Sequence, residues 1–377
     1  SAFVILFLFW SITLLLRKIY NINDKKSSTN IFLSAIIGSL AYTFSDSFWY
    51  NAVESEVYAL AMFFLAATFW LGLRWEKDFD TERGDRWLLL ISFMIGLSFG
   101  VHFMAILTIP AIGMIYFFKT YKKITIKKFL LANIVSVSIL LFIFKLLLPS
   151  ALGFFGQLEV FFVNSIGLPF NSGTIIAGIL VVLFFYKSIN YSRKKGNVNL
   201  NTLILCTLFI FVGFSSWLMI PIRSNANTVI NENAPSDART LLAYYKLEQY
   251  PKKYLFYGPM FSDIYAPQDE SQPYVDGKPK YEKDYNTNKY IIVNNWEDSE
   301  VNSNSNHRGL IPRLWSSEHA ANYMDFTSPL DFEILDEYNY NELMQTQSDF
   351  GKSKEDIQNR CVNLYKNIIL QKIYIRN

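Results

Sequence analysis

The stretch WLLLISFMIGLSFGVHFMAILTIPAIGMIYFF, Trp87–Phe118, decides how this chain is organised. A membrane-spanning helix needs roughly 20 apolar residues. This run is therefore too long for one ordinary span and short for two. Arg74, Lys77, Arg83 and Arg86 precede it, and Lys119, Lys122, Lys123, Lys127 and Lys128 follow it. Basic loops face the cytoplasm, so a segment with basic loops at both ends crosses an even number of times. Two short spans turning at Gly100-Val101-His102 meet that requirement and place His102 near the outer surface.

Working outward, further apolar segments occupy Ala2–Leu16, Ile31–Phe44, Val57–Leu73, Phe129–Leu148, Thr174–Tyr186 and Thr202–Ile222, giving eight spans with the two in Trp87–Phe118. Arg17, Lys18, Lys25 and Lys26 fill the first loop, and Lys187, Arg193, Lys194 and Lys195 the seventh. The stretches 45–56, 101–102 and 149–173 contain no Lys or Arg. The alternation predicts that these face outward and that residue 223 emerges on the outer side. The chain begins at Ser1 inside an apolar run that lacks a signal peptide's charged start and cleavage site. It reads as a span cut short, with the natural N-terminus expected upstream.

Composition agrees with a membrane domain followed by a soluble one. Hydrophobic residues make up 51% and charged residues 18% of the 377, but the average hides a boundary. Residues 1–222 are apolar blocks between short charged loops; residues 223–377 are polar and Asn-rich. The fold class expected is an all-α polytopic domain followed by a small α/β extracytoplasmic domain. In the latter, Asp237–Gln249 and Asp356–Ile373 show helical spacing, Asp276-Gly277 is a hairpin turn signal, and Lys289–Val293 reads as a strand. A net charge of +3, carried mostly by membrane loops, suits lipid headgroups rather than nucleic acid. Cys206 and Cys361 make no disulfide framework. No zinc site is expected either, since His102, His307 and His319 lack metal-ligand spacing.

Several polar groups stand near the outer side. Glu54 and Glu56 lie among aromatics in Phe48–Tyr58, where carboxylates beside a bilayer are costly unless solvated, paired or useful. They could serve as a base or a hydroxyl ligand, or simply open the helix near Val57, whose dipole favours negative charge. His102 could bind phosphate or shuttle a proton, or be a hairpin histidine bonded to a backbone carbonyl. Arg223 runs against the positive-inside bias and could pair with a lipid phosphate or snorkel as an anchor. Asp78-Phe79-Asp80, a pattern known from metal–nucleotide-sugar sites, lies in a charged loop and reads as solvated. Gly96-x-x-x-Gly100 is a helix-contact pattern, and Lys145 reads as a snorkelling side chain.

Taken jointly, several runs carry a resemblance: Ser45–Trp49, Ala52–Leu60, Gly96–His102, Gly167–Gly173, Ile230–Asn233 and Tyr257–Pro259. They resemble a family of large bacterial integral membrane proteins related to the animal protein O-mannosyltransferases that modify plexin-type receptor domains, within the GT-C glycosyltransferases. The resemblance covers residues 1 to about 325. It implies a bacterial inner-membrane enzyme that moves a sugar from a polyprenyl-phosphate donor to a protein Ser or Thr hydroxyl on the outer face; no cofactor is expected and no residue is assigned to a metal. It also implies that the primary acidic motif lies upstream of residue 1, so that this chain alone could be inactive. Glu56 and Glu54 then fall in the second external loop as candidate catalytic residues. Trp49, Tyr58, His102, Asn171, Arg223, Asn231 and Glu232 are the candidate substrate-binding residues. The alternatives are a transporter or lipid flippase, which would favour paired repeats and broken helices, and a non-catalytic membrane assembly protein.

Overall fold

Inside a bilayer every backbone N–H and C=O must be bonded within the protein, which leaves helices as the form for apolar segments of this kind. The computed structural model describes residues 1–20, 25–81, 84–226, 228–250, 254–260, 268–269, 271–305, 308–312, 316 and 318, and all eight apolar segments are helical in it. They form α1 (Ala2–Ile19), α2 (Lys25–Thr43), α3 (Asp46–Val53), α4 (Tyr58–Lys77) and α5 (Gly84–Ser98). A 3-10 turn, Phe103–Leu107, leads into α6 (Thr108–Thr120). Then come α7 (Ile126–Leu141), a π-helical turn (Phe142–Leu147), α8 (Leu148–Asn164) and α9 (Ser172–Lys194). Next are α10 (Val198–Phe214), a second 3-10 turn (Ser215–Leu218), α11 (Met219–Ser224) and α12 (Ala238–Tyr245). Among the described residues six helical runs are long and apolar enough to cross a membrane, or seven if the pair α2–α3, bent by 64°, makes one span. This is a multi-pass membrane protein.

The Trp87–Phe118 run forms two helices, α5 and α6, joined through the 3-10 turn, but α5 is not among the span candidates, so the described residues give six or seven candidates where eight spans were expected. α5 has only 15 residues, about 22 Å at 1.5 Å per residue, so it falls short of an ordinary span. It packs on α10 through glycine. A Cβ on Gly96 would lie 2.1 Å from the Ile210 carbonyl oxygen, and one on Gly213 would lie 2.3 Å from that of Phe93. The two backbones touch because neither glycine carries a side chain.

The helix ends with basic residues gather at one face. Lys18 pairs with Glu76, Arg74 with Asp78 at 3.8 Å, and Lys119 with Asp80 at 3.3 Å. At the start of α10, the Thr202 hydroxyl donates to Asp85 at 3.0 Å. The ends of α1, α4 and α6 and the starts of α5 and α10 are thus neighbours. Each exposed pair contributes little energy; their joint placement is what carries the information. Asp78 also accepts the Trp87 indole N–H at 2.8 Å, so Asp78 and Asp80 are engaged in packing the loop.

One boundary departs from expectation. The segment read as ending at Leu148 continues to Asn164, in a helical run of 39 residues. Pro149 in mid-helix lacks an N–H and clashes with the carbonyl four residues back. The π turn Phe142–Leu147 immediately before it widens the helix and shifts its bonding register, so the run continues through the proline.

The chain divides into two compact units between Gln249 and Tyr250. α12 belongs with the helices: its start is fixed by a capping box between Asp237 and Thr240, and its buried Leu241 joins the core of Leu148, Leu152, Ile210 and Phe214. The second unit is built of short strands: β1 (Tyr257–Pro259), β2 (Tyr274–Val275), β3 (Tyr281–Asp284), β4 (Lys289–Ile292), β5 (Glu300–Val301) and β6 (Arg308–Leu310). They pair antiparallel as β1–β6, β2–β5 and β3–β4, nested about one hairpin. That hairpin turns at Tyr285–Asn288, not at Asp276-Gly277. Gly277 serves a different need: its N–H donates to the Trp296 carbonyl at 2.7 Å, and a Cβ there would lie 2.3 Å from the Ser299 hydroxyl. The signal marked close approach of two chain segments, not a reversal. β4 lies where Lys289–Val293 was expected, and the helix expected at Asp356–Ile373 lies outside the described residues.

Candidate active site

Glu54 and Glu56 sit on the turn joining α3 to α4. Glu54 is the C-terminal cap of α3, Val57 is the N-terminal cap of α4, and both carboxylates are exposed. The helix dipole accounts for Glu56, just ahead of α4, but not for Glu54, since a carboxylate at a helix C-terminus is disfavoured. No hydrogen bond or ion pair engages either one among the described residues. Beside them Trp49 is exposed and lines a shallow surface groove of about 430 Å³ with Phe44, Asp46, Tyr50 and Val53.

Tyr58, one residue into α4, meets His102 with ring centroids 6.2 Å apart. His102 stacks on Phe103 at 4.6 Å, and Phe103 packs on Phe144 at 5.2 Å. From there an aromatic column runs to Tyr245, Trp217, Phe214 and Phe99. Two hydrogen bonds pin it: Trp217 donates its indole N–H to the Phe99 carbonyl at 2.6 Å, and the Tyr245 hydroxyl donates to the Phe144 carbonyl at 2.9 Å. The π turn matters here, because widening the helix at Phe144 loosens the internal ladder and presents a carbonyl to a partner outside it. Burial pushes the Tyr245 phenol above its ordinary range, which keeps it a donor. The His102 Nδ1 is buried and has no hydrogen-bond partner among the described residues.

A second feature of the helical unit was not anticipated. A cleft of about 1230 Å³ opens between α8, α9, α10 and the start of α12. Its walls are Leu146, Leu152, Phe155, Phe184, Phe211 and other apolar side chains. Thr207 and Ser215 also line it, but their hydroxyls donate to carbonyls of their own helix, Leu203 at 2.9 Å and Val212 at 2.7 Å. Its other polar residues are Ser150 on α8, Asn171 and Thr174 at the start of α9, and Ser236 and Asp237 at the start of α12, of which Ser150 and Asn171 are exposed. Both starts flank the same part of α8. Thr174 bonds Glu159, and Arg239 packs one turn earlier, where a Cβ on Gly156 would lie 3.1 Å from its Cγ.

Glu159 is the buried charge that sequence reading passed over. It is 1% exposed and accepts the Asn171 N–H at 2.5 Å, the Thr174 N–H at 2.8 Å and the Thr174 hydroxyl at 3.0 Å. A single acid in the apolar run Leu152–Val163 was the signal available, since an isolated carboxylate at membrane depth demands partners.

Of the predicted residues, the structure brings Tyr58 to His102 and places Asn171 on the cleft. Arg223 is exposed at the end of α11, two residues past Pro221 of the cleft wall. Asn231 donates its side-chain N–H to the Ser224 carbonyl at 3.1 Å, and Asn225 bonds the carbonyl of Ser236 at 2.8 Å. These two bonds tie the 225–236 loop to the cleft's polar end. Glu232 is exposed in that loop. Neither Glu54 nor Glu56 lines the cleft. Among the described residues no group of three or more His, Cys, Asp or Glu side chains converges as metal ligands.

Comparison with known families places the N-terminal third. Residues 1–125 match the protein O-mannosyl-transferase TMEM260 N-terminal domain. This part of the chain is related to the TMEM260 O-mannosyl-transferases. The match spans α1 to α6, including the Glu54–Glu56 turn and the Tyr58–His102 pair, and supports a glycosyltransferase-like membrane protein. Residues 251–356 match a family of unknown function, DUF8416, which begins within two residues of the boundary between the units. No curated protein and no solved structure matches the chain.

Proposed function

We propose that the protein transfers a sugar from a polyprenyl-phosphate donor to a protein Ser or Thr hydroxyl at the extracytoplasmic face of a bacterial inner membrane. The observation that carries this reading is the long apolar cleft with a polar end, in a chain whose first third matches a protein O-mannosyl-transferase domain. At about 1230 Å³ it exceeds the roughly 300–1,000 Å³ of ordinary small-molecule pockets, and an isoprenoid chain suits its walls. The phosphate then lies toward Arg223, whose guanidinium is a good phosphate partner. His102, beside Tyr58, is assigned as a second group for the leaving phosphate. Transfer needs a carboxylate to take the acceptor proton as the hydroxyl attacks the anomeric carbon, and cationic groups to stabilise the departing phosphate. Glu56 and Glu54, solvated and unpaired, are assigned to the acceptor side with Trp49 and Tyr58. Asn231 and Glu232 belong to the loop at the donor side.

The test is transfer by the full-length natural protein in membranes, using radiolabelled polyprenyl-phosphate mannose first and other sugars after it. Glu56→Gln is expected to cut transfer at least tenfold, with membrane insertion unchanged. Unaltered transfer would remove Glu56 from the site. Absence of transfer with every donor, alongside retained binding of the lipid, would favour a flippase or assembly role.

A further inference from the structure

An asparagine at a helix N-cap ordinarily turns its side-chain oxygen back onto the first amides of its own helix. Asn171 is the N-cap of α9 with φ 71°, and its side chain makes no capping bond. The carboxylate of Glu159, on the neighbouring helix α8, takes that role instead, accepting the amides of Asn171 and Thr174. The fit is tight: a Cβ on Gly173 would lie 2.4 Å from the Cα of Glu159, so glycine is what lets the carboxylate reach. The anion position at the start of α9 is therefore filled from within the protein, and the Asn171 amide is left exposed on the cleft wall.

We propose that Glu159 is a positioning residue: by capping α9 from outside, it holds Asn171 outward as a hydrogen-bond donor to the phosphate end of a lipid in the cleft. This rests on the reading of the cleft as a polyprenyl-phosphate site. The Asn171 and Thr174 donors engage Glu159, which touches no substrate; Asn171 makes the contact. Glutamine at position 159 keeps one acceptor oxygen and sets an NH2 group against an amide or hydroxyl donor, so one arm of the clamp opens.

The experiment is a double-mutant cycle on the full chain in nanodiscs, read by saturation binding of photoreactive farnesyl phosphate, with photoreactive farnesol as the control. Asn171→Ala and Glu159→Gln are each expected to weaken farnesyl phosphate binding about tenfold, the scale of one hydrogen bond to a charged group. The double variant is expected to be no weaker than either single one, and farnesol binding to be unchanged throughout. Independent, multiplying losses, or an equal loss of farnesol, would reduce Glu159 to a structural role and overturn the proposal. If Glu159→Gln fails to fold, Thr174→Val weakens the Oε2 arm by removing its hydroxyl donor while the Thr174 N–H remains; the resulting loss, about threefold, must vanish in the Asn171→Ala background. A wild-type protein that takes up neither probe sinks the cleft reading itself. Uptake of both probes with no effect of any variant sinks only the role of Glu159.

Discussion

The indole N–H of Trp217 reaches the carbonyl of Phe99 at 2.6 Å, joining the end of α10 to the turn that carries His102. Phe99 is 6% exposed, so its carbonyl has little access to water. Trp217→Phe keeps the ring on Phe214 and deletes the donor. We expect a loss of about 1 kcal/mol, within the range for a buried hydrogen bond. The measurement is a thermal melt in detergent; an unchanged melting temperature would show the bond to be idle.

The α5–α10 contact depends on two glycines facing each other's backbone. Gly213→Ala sets a methyl group 2.3 Å from the Phe93 oxygen and 2.5 Å from the Leu97 nitrogen, which only separation of the helices relieves. Loss of the monodisperse protein on size-exclusion chromatography is expected. Gly178→Ala is the control, since its nearest neighbour, a Phe155 ring carbon, lies 4.0 Å away. Equal behaviour of the two variants would refute the account of this interface.

In the second unit, Arg308 lies over Tyr254 and Tyr257, at 5.7 and 5.6 Å from their ring centroids. It is also in register with Pro259, where β6 meets β1. Arg308→Ala removes both cation–π contacts, about 1 kcal/mol together at a partly exposed site. Faster amide exchange at Tyr257 and Leu310, without change in α4 or α10, is the expected signature.

The hairpin of β3 and β4 has an acid-sensitive turn. Asp284 accepts the Thr287 hydroxyl at 2.7 Å and the Asn286 N–H at 3.0 Å. These bonds hold its carboxyl below the ordinary value of 3.8. Because the folded pKa is depressed, the stabilisation is present above the unfolded pKa and is lost as pH falls through the folded one. Exchange protection at Asn286 should therefore decline below about pH 4, and Asp284→Asn should abolish that pH dependence.

How much of this was legible beforehand follows from what each feature rests on. The helices were readable because burial in hydrocarbon leaves the backbone no alternative. Loop charge gives a topology reading on its own terms, and the Lys18–Glu76 and Lys119–Asp80 pairs show that these helix ends meet. The extension past Leu148 was hidden because Pro149 signals a stop, and only a π turn cancels that signal. The Asp276-Gly277 turn misled because glycine serves two needs, chain reversal and close approach, and sequence does not tell them apart. Within the candidate site, Tyr58 and His102 were recognised separately and the fold paired them. The cleft depends on how four helices separate, which no local pattern encodes, whereas Glu159 was marked as the single acid of Leu152–Val163 and was passed over.

The 39-residue run through α7 and α8 has a consequence for supply. At 1.5 Å per residue it is about 58 Å long, roughly twice the hydrocarbon core of a bilayer, so one of its ends must stand clear of the acyl chains. The cleft lies along it, from Phe142 past Phe155. If the cleft holds a polyprenyl-phosphate lipid, as proposed above, the tail is expected to enter from the leaflet rather than through water. The cleft's occupancy is then set by the mole fraction of that lipid in the leaflet and by two-dimensional diffusion, so diluting the membrane with inert lipid starves the site even when the total amount of ligand is held constant.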